Sequence, residues 1–202
     1  MSGYPVLLEG ESIRALVVGG GAVAVRKVRA LLEARALVRV VAIRANDAMR
    51  VLGGQPRCTL DERAYRAEDL TGATLVIAAT DDRALNAMVG RDARARGMLV
   101  NIADAPADGT FVTVATHRAG DVTIAVSAGG VPAAAARLRD AVAARFDARY
   151  AEAMHALGAL RARYLAAGDR AGWERAQEAL ITDQFCARVE SGLLVEDVAA
   201  WH

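Results

Sequence analysis

Four short apolar runs constrain this chain more than any other feature: Arg14–Val18 (RALVV), Leu37–Ile43 (LVRVVAI), Thr74–Ala79 (TLVIAA) and Met98–Ile102 (MLVNI). None alternates apolar with polar residues as a half-solvated strand does. Each therefore predicts a strand buried on both faces. Between them, Ala22–Ala34 and Asp81–Arg96 carry apolar residues at helical spacing, and Asn46 is placed to cap a short helix reaching Leu52. A weaker run at Arg57–Leu60 predicts one more strand. Buried strands alternating with helices predict a parallel sheet covered on both faces, the doubly wound α/β arrangement.

After Pro106 the pattern changes. Phe111–Thr116 and Val122–Ser127 predict two strands joined by the turn cluster HRAGD around Gly120, with apolar residues on both faces. A lone hairpin is marginal in water. This one is expected to pair, and another subunit is the natural partner. From Pro132, which suits the first turn of a helix, the chain is rich in Ala and Arg and reads as helical. Gly168 and Asp169 interrupt it, a second helix reaches about Val189, and a last one covers Leu194–Trp201. The expected organisation is a Rossmann-like parallel-sheet domain over 1–109, a small β-hairpin/helix dimerisation segment over 110–145, and an all-α tail over 146–202.

Aromatic residues make up 4% of the chain and apolar residues 54%, so the core must be built from Ala, Val and Leu. A formal net charge of +1 gives no bulk field toward nucleic acid or a membrane surface, and neither partner is expected. No apolar run reaches the ~20 residues that span a bilayer. The opening MSGYPVLLEG lacks the basic lead of a signal peptide, and Cys58 and Cys186 read as buried free thiols, so a cytoplasmic location is expected. His117, His155 and His202 do not cluster with one another or with a cysteine, and no metal site is expected. His117 falls in the predicted hairpin turn, where solvent exposure is the expectation.

The segment VVGGGAVAVRK, Val17–Lys27, follows the first strand and opens the first helix. Gly19, Gly21 and Ala24 satisfy G-x-G-x-x-A in the context that dinucleotide binding requires. The first glycine permits the tight turn, the second lets the backbone approach a pyrophosphate, and Ala24 lets helix and strand pack closely. The anion then sits at the helix N-terminus, where free N–H groups and the dipole favour negative charge. NAD-binding units usually carry an acid at the end of the second strand. Here Ile43 and Arg44 stand there, and Arg44 suits a 2′-phosphate as well as it suits solvent, which leaves NAD and NADP both open.

In open α/β sheets ligands bind at the carboxyl ends of the strands. That brings Gly19, Gly21, Ala22, Val23, Ile43, Arg44, Thr80 and Asn101 together as the cofactor-binding set. Asp81 reads equally as a helix N-cap or a ligand contact. Asp104, beside the same cleft, is a candidate general base; it also reads as a cap on the turn before Pro106. Lys27 is the chain's single lysine among 25 basic residues. It lies past the pyrophosphate on the helix, where contact with substrate or a partner subunit is expected.

Taken in order over residues 4–140, YPVLLEG, VVGGGAVAVRK, LLEA, IAATDDRALN, NIADAP and TIAVSAGG followed by AAAARLRD resemble the precorrin-2 dehydrogenase/sirohydrochlorin ferrochelatase family. That family makes sirohaem, as a separate protein or as the N-terminal part of a longer sirohaem synthase. The resemblance implies oxidation of precorrin-2 to sirohydrochlorin with NAD as cofactor, in sirohaem or cobalamin synthesis. Many members also insert Fe²⁺, which would be a substrate and need no permanent cage. It further implies Asp104 as general base and a homodimer formed through the central segment. The tetrapyrrole's carboxylates suit Arg side chains, with Ser127, Gly129, Gly130 and Arg137 as substrate-binding positions.

The chain departs from the family pattern at four places. Arg35 stands where members often have Gly, Val114 replaces a frequent Pro, Ala128 replaces a second Ser or Thr, and Pro132 comes one position early. The competing reading is a nucleotide-sensing regulatory module of the potassium-transport type, not an enzyme. It shares the glycine loop and an A-T-x-D-x-x-N element but has no counterpart to NIADAP or the SAGG turn.

Overall fold

The computed structural model describes residues 3–201. The chain forms two compact units, one ending at Thr113 and the other beginning at Val114. His202, read above as an isolated histidine, lies outside the described residues, as do the first two residues of the N-terminal segment.

The first unit runs β1 (Arg14–Val18), α1 (Ala22–Glu33), β2 (Leu37–Ala42), α2 (Asp47–Gly53), β3 (Cys58–Glu62), β4 (Leu75–Ala78), α3 (Arg83–Ala95) and β5 (Leu99–Ile102). All neighbouring strands are parallel, in the order β3-β2-β1-β4-β5. The Rossmann-like α/β reading holds. The uninterrupted apolar runs have a direct cause. Ala15 and Val17 of β1 join Val38, Val40 and Ile77 against Ala24, Val25 and Val28 of α1. Leu16 and Val18 join Val41, Val76 and Ala78 against Val89 and Ala93 of α3. Successive side chains of a strand point to opposite faces, and both faces here are covered.

Helix ends follow local rules. Asn46 caps α2 by accepting the Met49 N–H, as expected. The cap of α3 is Asp82 rather than Asp81; its carboxylate accepts from the N–H groups of Ala84 and Leu85. α1 ends in a Schellman motif: Arg35 N–H donates to Leu32 O and Ala36 N–H to Leu31 O. The same pair of bonds closes α3 at Gly97 and Met98. Gly97 takes the left-handed φ of +67° that this position requires, and Arg35 is forced to +64°. The sequence departure at Arg35 therefore falls on a backbone position built for glycine.

The free edge of β5 is covered. Val100 N–H donates to Thr110 Oγ1, Val100 O accepts from Thr110 N–H, and Asn101 Nδ2 donates to Phe111 O. Gly109 makes this approach possible, since a Cβ there would stand 2.8 Å from Val100 O. This corrects the strand predicted at Phe111–Thr116. Phe111 packs against the core of the first unit and its backbone groups are already used by β5.

In the second unit β6 is Ala115–Ala119 and β7 is Val122–Val126, antiparallel. Pairing of Ala119 with Val122 leaves Gly120–Asp121 as a two-residue turn, with Gly120 at φ +56°. A left-handed residue first in the turn is the type II′ arrangement that glycine favours. His117 is therefore in mid-strand, not in the turn; it is half-buried, with Nε2 against the Phe146 carbonyl. β7 alternates half-buried Val122, Ile124 and Val126 with exposed Thr123 and Ala125, so its two faces are not equally apolar.

The helices are α4 (Pro132–Ala143), α5 (Ala148–Ala166), α6 (Arg170–Leu180), α7 (Phe185–Ser191) and α8 (Leu193–Ala200). Pro132 takes the first helical position. The sequence shows the break at Gly168–Asp169 and the one between Val189 and Leu194, but not the other two. Asp147 restarts the chain by capping Arg149 N–H, Ile181 ends α6, and Gly192 at φ +83° separates α7 from α8. Tyr150, Ala153, Leu157 and Leu160 of α5 form the core with Ala176, Leu180 and Leu194. Among the described residues no helix is long and apolar enough to cross a membrane. Cys58 is buried and Cys186 half-buried, both unpaired.

Candidate functional site

β1 and β4 are neighbours, but α1 packs on one face of the sheet and α3 on the other. Such a switch point opens a crevice at the carboxyl ends of the strands. Here it is a cleft of about 700 Å³ walled by the glycine loop, the ends of β2 and β4, and the segment after β3.

The three glycines do different things. Gly19 sits at φ +133°, and a Cβ there would stand 2.3 Å from Ala79 O. Gly20 would place its Cβ 2.2 Å from Arg44 O. Hydrogen bonds fix both: Gly19 N–H donates to Val41 O, and Gly20 O accepts from Asn46 N–H. Gly21 is the N-cap of α1, in ordinary extended conformation, with nothing within 4 Å of an added Cβ. No side chain caps the first N–H groups of α1. The loop is thus rigid at Gly19 and Gly20 and open at Gly21, over a helix start with unused donors. That cradle fits a dinucleotide pyrophosphate. The motif does not mark Gly20, yet packing demands glycine there more strictly than at Gly21.

Of the expected cofactor residues, Gly19, Gly21, Ile43, Arg44 and Thr80 line the cleft. Ala22 and Val23 form the first turn of α1 and are not in its lining. Ile43 and Arg44 are exposed, and Arg44 has no ion pair among the described residues. Asp81 lines the cleft, freed from capping by Asp82. Asn101 is buried, facing the α1 side with Ile77; its Nδ2 holds Phe111 O, and its Oδ1 has no partner.

Two lining residues were not legible in the sequence. Arg63 and Tyr65 follow β3 and reach the cleft. Arg63 makes two hydrogen bonds to the buried Asp69 carboxylate, at 2.6 and 2.9 Å, and Asp69 also accepts the Arg66 N–H. The Arg63 guanidinium holds Asp69 below the usual carboxylate range. Burial, then the hydrogen bond to Asp92, pushes the Tyr65 phenol up. Pairs separated by so few residues in an irregular loop leave no periodic signal.

Asp104 is exposed just past β5 and outside the cleft lining, but it is tied to the cleft. Asn86 of α3, 1% exposed, donates from Nδ2 to Asp104 Oδ1 at 2.9 Å. The same carboxamide holds Thr80 in the cleft wall. Lys27 is half-buried and donates to Thr113 Oγ1. Burial, then the neighbouring Arg26, lowers its ammonium pKa.

Ser127, Gly129, Gly130 and Arg137 belong to the second unit. Gly129 and Gly130 take φ of +56° and +86° in a turn closed by Val131 N–H to Ala128 O. Arg137 is exposed on α4. Among the described residues no cluster of three or more His, Cys, Asp or Glu is placed to hold a metal ion.

A family model described as "Putative NAD(P)-binding" matches residues 6–115, more than half of the chain. The chain belongs to this NAD(P)-binding family. A nicotinamide nucleotide is accordingly the cofactor class of the cleft. Among similar proteins is a "Siroheme synthase" of Pseudomonas entomophila, 42% identical over 151 residues, covering 75% of this chain and 32% of that protein. Another, of Pseudomonas aeruginosa, is 48% identical over 124 residues, covering 61% of this chain and 27% of that protein. The chain thus spans about a third of the length of the relatives it matches. A solved structure titled "SirC, precorrin-2 dehydrogenase" has the same fold, with a TM-score of 0.78 over 98% of this chain and 100% of that one, at 22% identity.

Proposed function

We propose that this chain catalyses the NAD-dependent oxidation of precorrin-2 to sirohydrochlorin in the cytoplasm, on the way to sirohaem or cobalamin. The observation that carries the reading is the hydrogen-bonded path from the nucleotide cleft to a carboxylate: Thr80, Asn86, Asp104. Desaturation removes one hydride and one proton from the tetrapyrrole. NAD⁺ when bound supplies the hydride acceptor. Asp104 takes the proton as general base. Gly19, Gly21, Ala22 and Val23 would hold the pyrophosphate at the α1 N-terminus, Ile43 and Arg44 would flank the ribose, and Thr80 would shape the far wall, while the buried Asn101 holds Phe111 at the β5 edge. The motif resemblance supports NAD, while the β2 end, which carries Arg44 and no acid, leaves NAD and NADP both open.

The Ser127–Gly130 turn and Arg137 contact the tetrapyrrole, Arg137 pairing with a substrate carboxylate. The hairpin with α4 serves as the dimerisation segment between the nucleotide domain and the helical tail, and the protein works as a homodimer. The same carboxylate would accept pyrrole N–H protons when Fe²⁺ is inserted as a second substrate. The siroheme synthase relatives and the fold shared with a precorrin-2 dehydrogenase support the reading.

The test is an anaerobic assay of precorrin-2 with NAD⁺ against NADP⁺, then with Fe²⁺ or Co²⁺ added. Sirohydrochlorin and NADH are the expected products. Asp104→Asn should lower kcat by about 100-fold or more, the usual range for a lost general base. An undiminished rate in that variant refutes the assignment of Asp104.

A further inference from the structure

Asn86 uses its carboxamide fully. Its Oδ1 accepts the Thr80 N–H at 3.0 Å and lies 2.8 Å from the Thr80 hydroxyl. One Nδ2 proton goes to Thr80 O at 3.0 Å and the other to Asp104 Oδ1 at 2.9 Å. The amide thus pairs with both backbone groups of Thr80 as a neighbouring strand would. This pairing also fixes which way the amide points: the Thr80 N–H is a donor only, so the oxygen must face it. The second Nδ2 proton is then obliged to face Asp104.

Asn86 is 1% exposed on the first turns of α3, whereas Asp104 is exposed and has no other side-chain partner among its described hydrogen bonds. A free carboxylate on a loop samples several rotamers. One anchored to a buried, four-valent amide does not.

We infer that Asn86 is a positioning residue that sets the Thr80 wall of the nucleotide cleft and the Asp104 carboxylate with one side chain, so that the cofactor seat and the base are held in fixed register. This rests on the dehydrogenase reading above. It also has a reciprocal consequence: whatever disturbs Asp104's acceptor should be felt, through Asn86, at the cofactor.

The experiment is a double-mutant cycle with the full chain, using Asn86→Ala, Asp104→Asn and Asp104→Ala. The readouts are kcat with precorrin-2 at saturating NAD⁺, NADH affinity by fluorescence titration, and Tm. In the wild-type background Asn86→Ala should lower kcat by about tenfold or more, the scale of coupling within one hydrogen-bond network. In the Asp104→Asn background it should lower kcat by less than about threefold, because the base it positions is gone. Equal losses in both backgrounds would mean that Asn86 supports the fold in general and would overturn the proposal.

The binding arm is independent of turnover. Asp104→Asn keeps an acceptor for Nδ2 and should leave NADH affinity unchanged. Asp104→Ala removes it and should weaken NADH by about threefold, a loss that disappears when Asn86 is already Ala. Additive effects on NADH affinity overturn the proposal. Asp104 is exposed, so its variants fold even where Asn86→Ala does not, and identical NADH affinity in the two Asp104 variants then overturns it. If the wild-type protein binds NADH but leaves precorrin-2 untouched, the dehydrogenase reading fails, and the register between Thr80 and Asp104 is still decided by the binding arm.

Discussion

Gly21→Ala separates the cradle from the fold. Gly21 sits at φ −88°, ψ −175°, a conformation alanine adopts freely, and an added Cβ meets no atom within 4 Å. Two small effects on stability oppose each other. Replacing glycine at a compatible position stabilises by about 0.4–1 kcal/mol through the unfolded chain. Alanine is a poorer N-cap than glycine by roughly 0.5–1 kcal/mol. The net should lie within about 1 kcal/mol of zero, a Tm shift within about 3 °C for a chain of this size. The cofactor should respond very differently. The new methyl occupies the space through which a pyrophosphate reaches the first N–H groups of α1. Losing one hydrogen bond to a charged group costs about 1.5–3 kcal/mol. At 1.4 kcal/mol per tenfold, NADH affinity should fall by about 10- to 100-fold. Fluorescence titration gives the Kd and calorimetry the Tm. An unchanged Kd would show that the phosphates do not approach Gly21, and a Tm lower by more than about 5 °C would show that the space is structural.

The neighbouring Gly20→Ala should behave oppositely, because its Cβ would stand 2.2 Å from Arg44 O; a loss of about 1–3 kcal/mol is expected in denaturant unfolding, the scale of overpacking. Arg35→Asn should raise Tm by about 1–3 °C, since asparagine tolerates the left-handed region that costs arginine roughly 1 kcal/mol. The exposed Arg35–Glu11 pair that is lost contributes little, and a fall in Tm at high salt would contradict this account. Asp69 has a folded pKa below its unfolded value of about 3.8, so its contribution is complete above that pH and is lost as pH falls through the folded value. Asp69→Asn should therefore destabilise the protein at pH 7 by roughly 2–3 kcal/mol, less than a fully buried pair because Arg63 is 34% exposed. The gap between the variant and the wild type should begin to narrow below about pH 4 and close as pH falls through the folded value, as measured by urea unfolding across pH; a constant gap would refute the pairing.

The sheet was legible because burying both faces of a strand demands a run of Val, Leu and Ile that little else in a sequence imitates. The cradle was legible because glycine is the residue that survives at Gly19. What stayed hidden has a common cause. Arg63, Tyr65 and Asn86 reach the site from irregular or helical positions that leave no periodic signal, and the partners of Tyr65 and Asn86, Asp92 and Asp104, lie far away in sequence. The first hairpin strand was started four residues early because Phe111 and Val112 carry β-forming side chains, while the bonds that hold Phe111 to β5 are tertiary; the second strand begins at Val122 as read. The extra breaks in the tail were missed because Asp147 caps by geometry that Ala- and Arg-rich flanks do not announce. Arg35 runs the other way: the resemblance pointed to a missing glycine, and the Schellman bonds show what that glycine would have supplied.

The covered edge of β5 bears on how this protein survives its own folding. A parallel sheet assembles from contacts distant in sequence and stays unfinished longer than a helical bundle. During that interval a bare outer strand of Leu, Val and Ile is a template for another chain. Residues 109–111 arrive immediately after β5 in sequence and engage Val100 on both its backbone groups. The most aggregation-prone border of the sheet is therefore sealed by its nearest neighbour in the chain, through a loop closure of only about ten residues. β3, at the opposite border, needs no such seal, because Asp61 and Glu62 put charge on that edge.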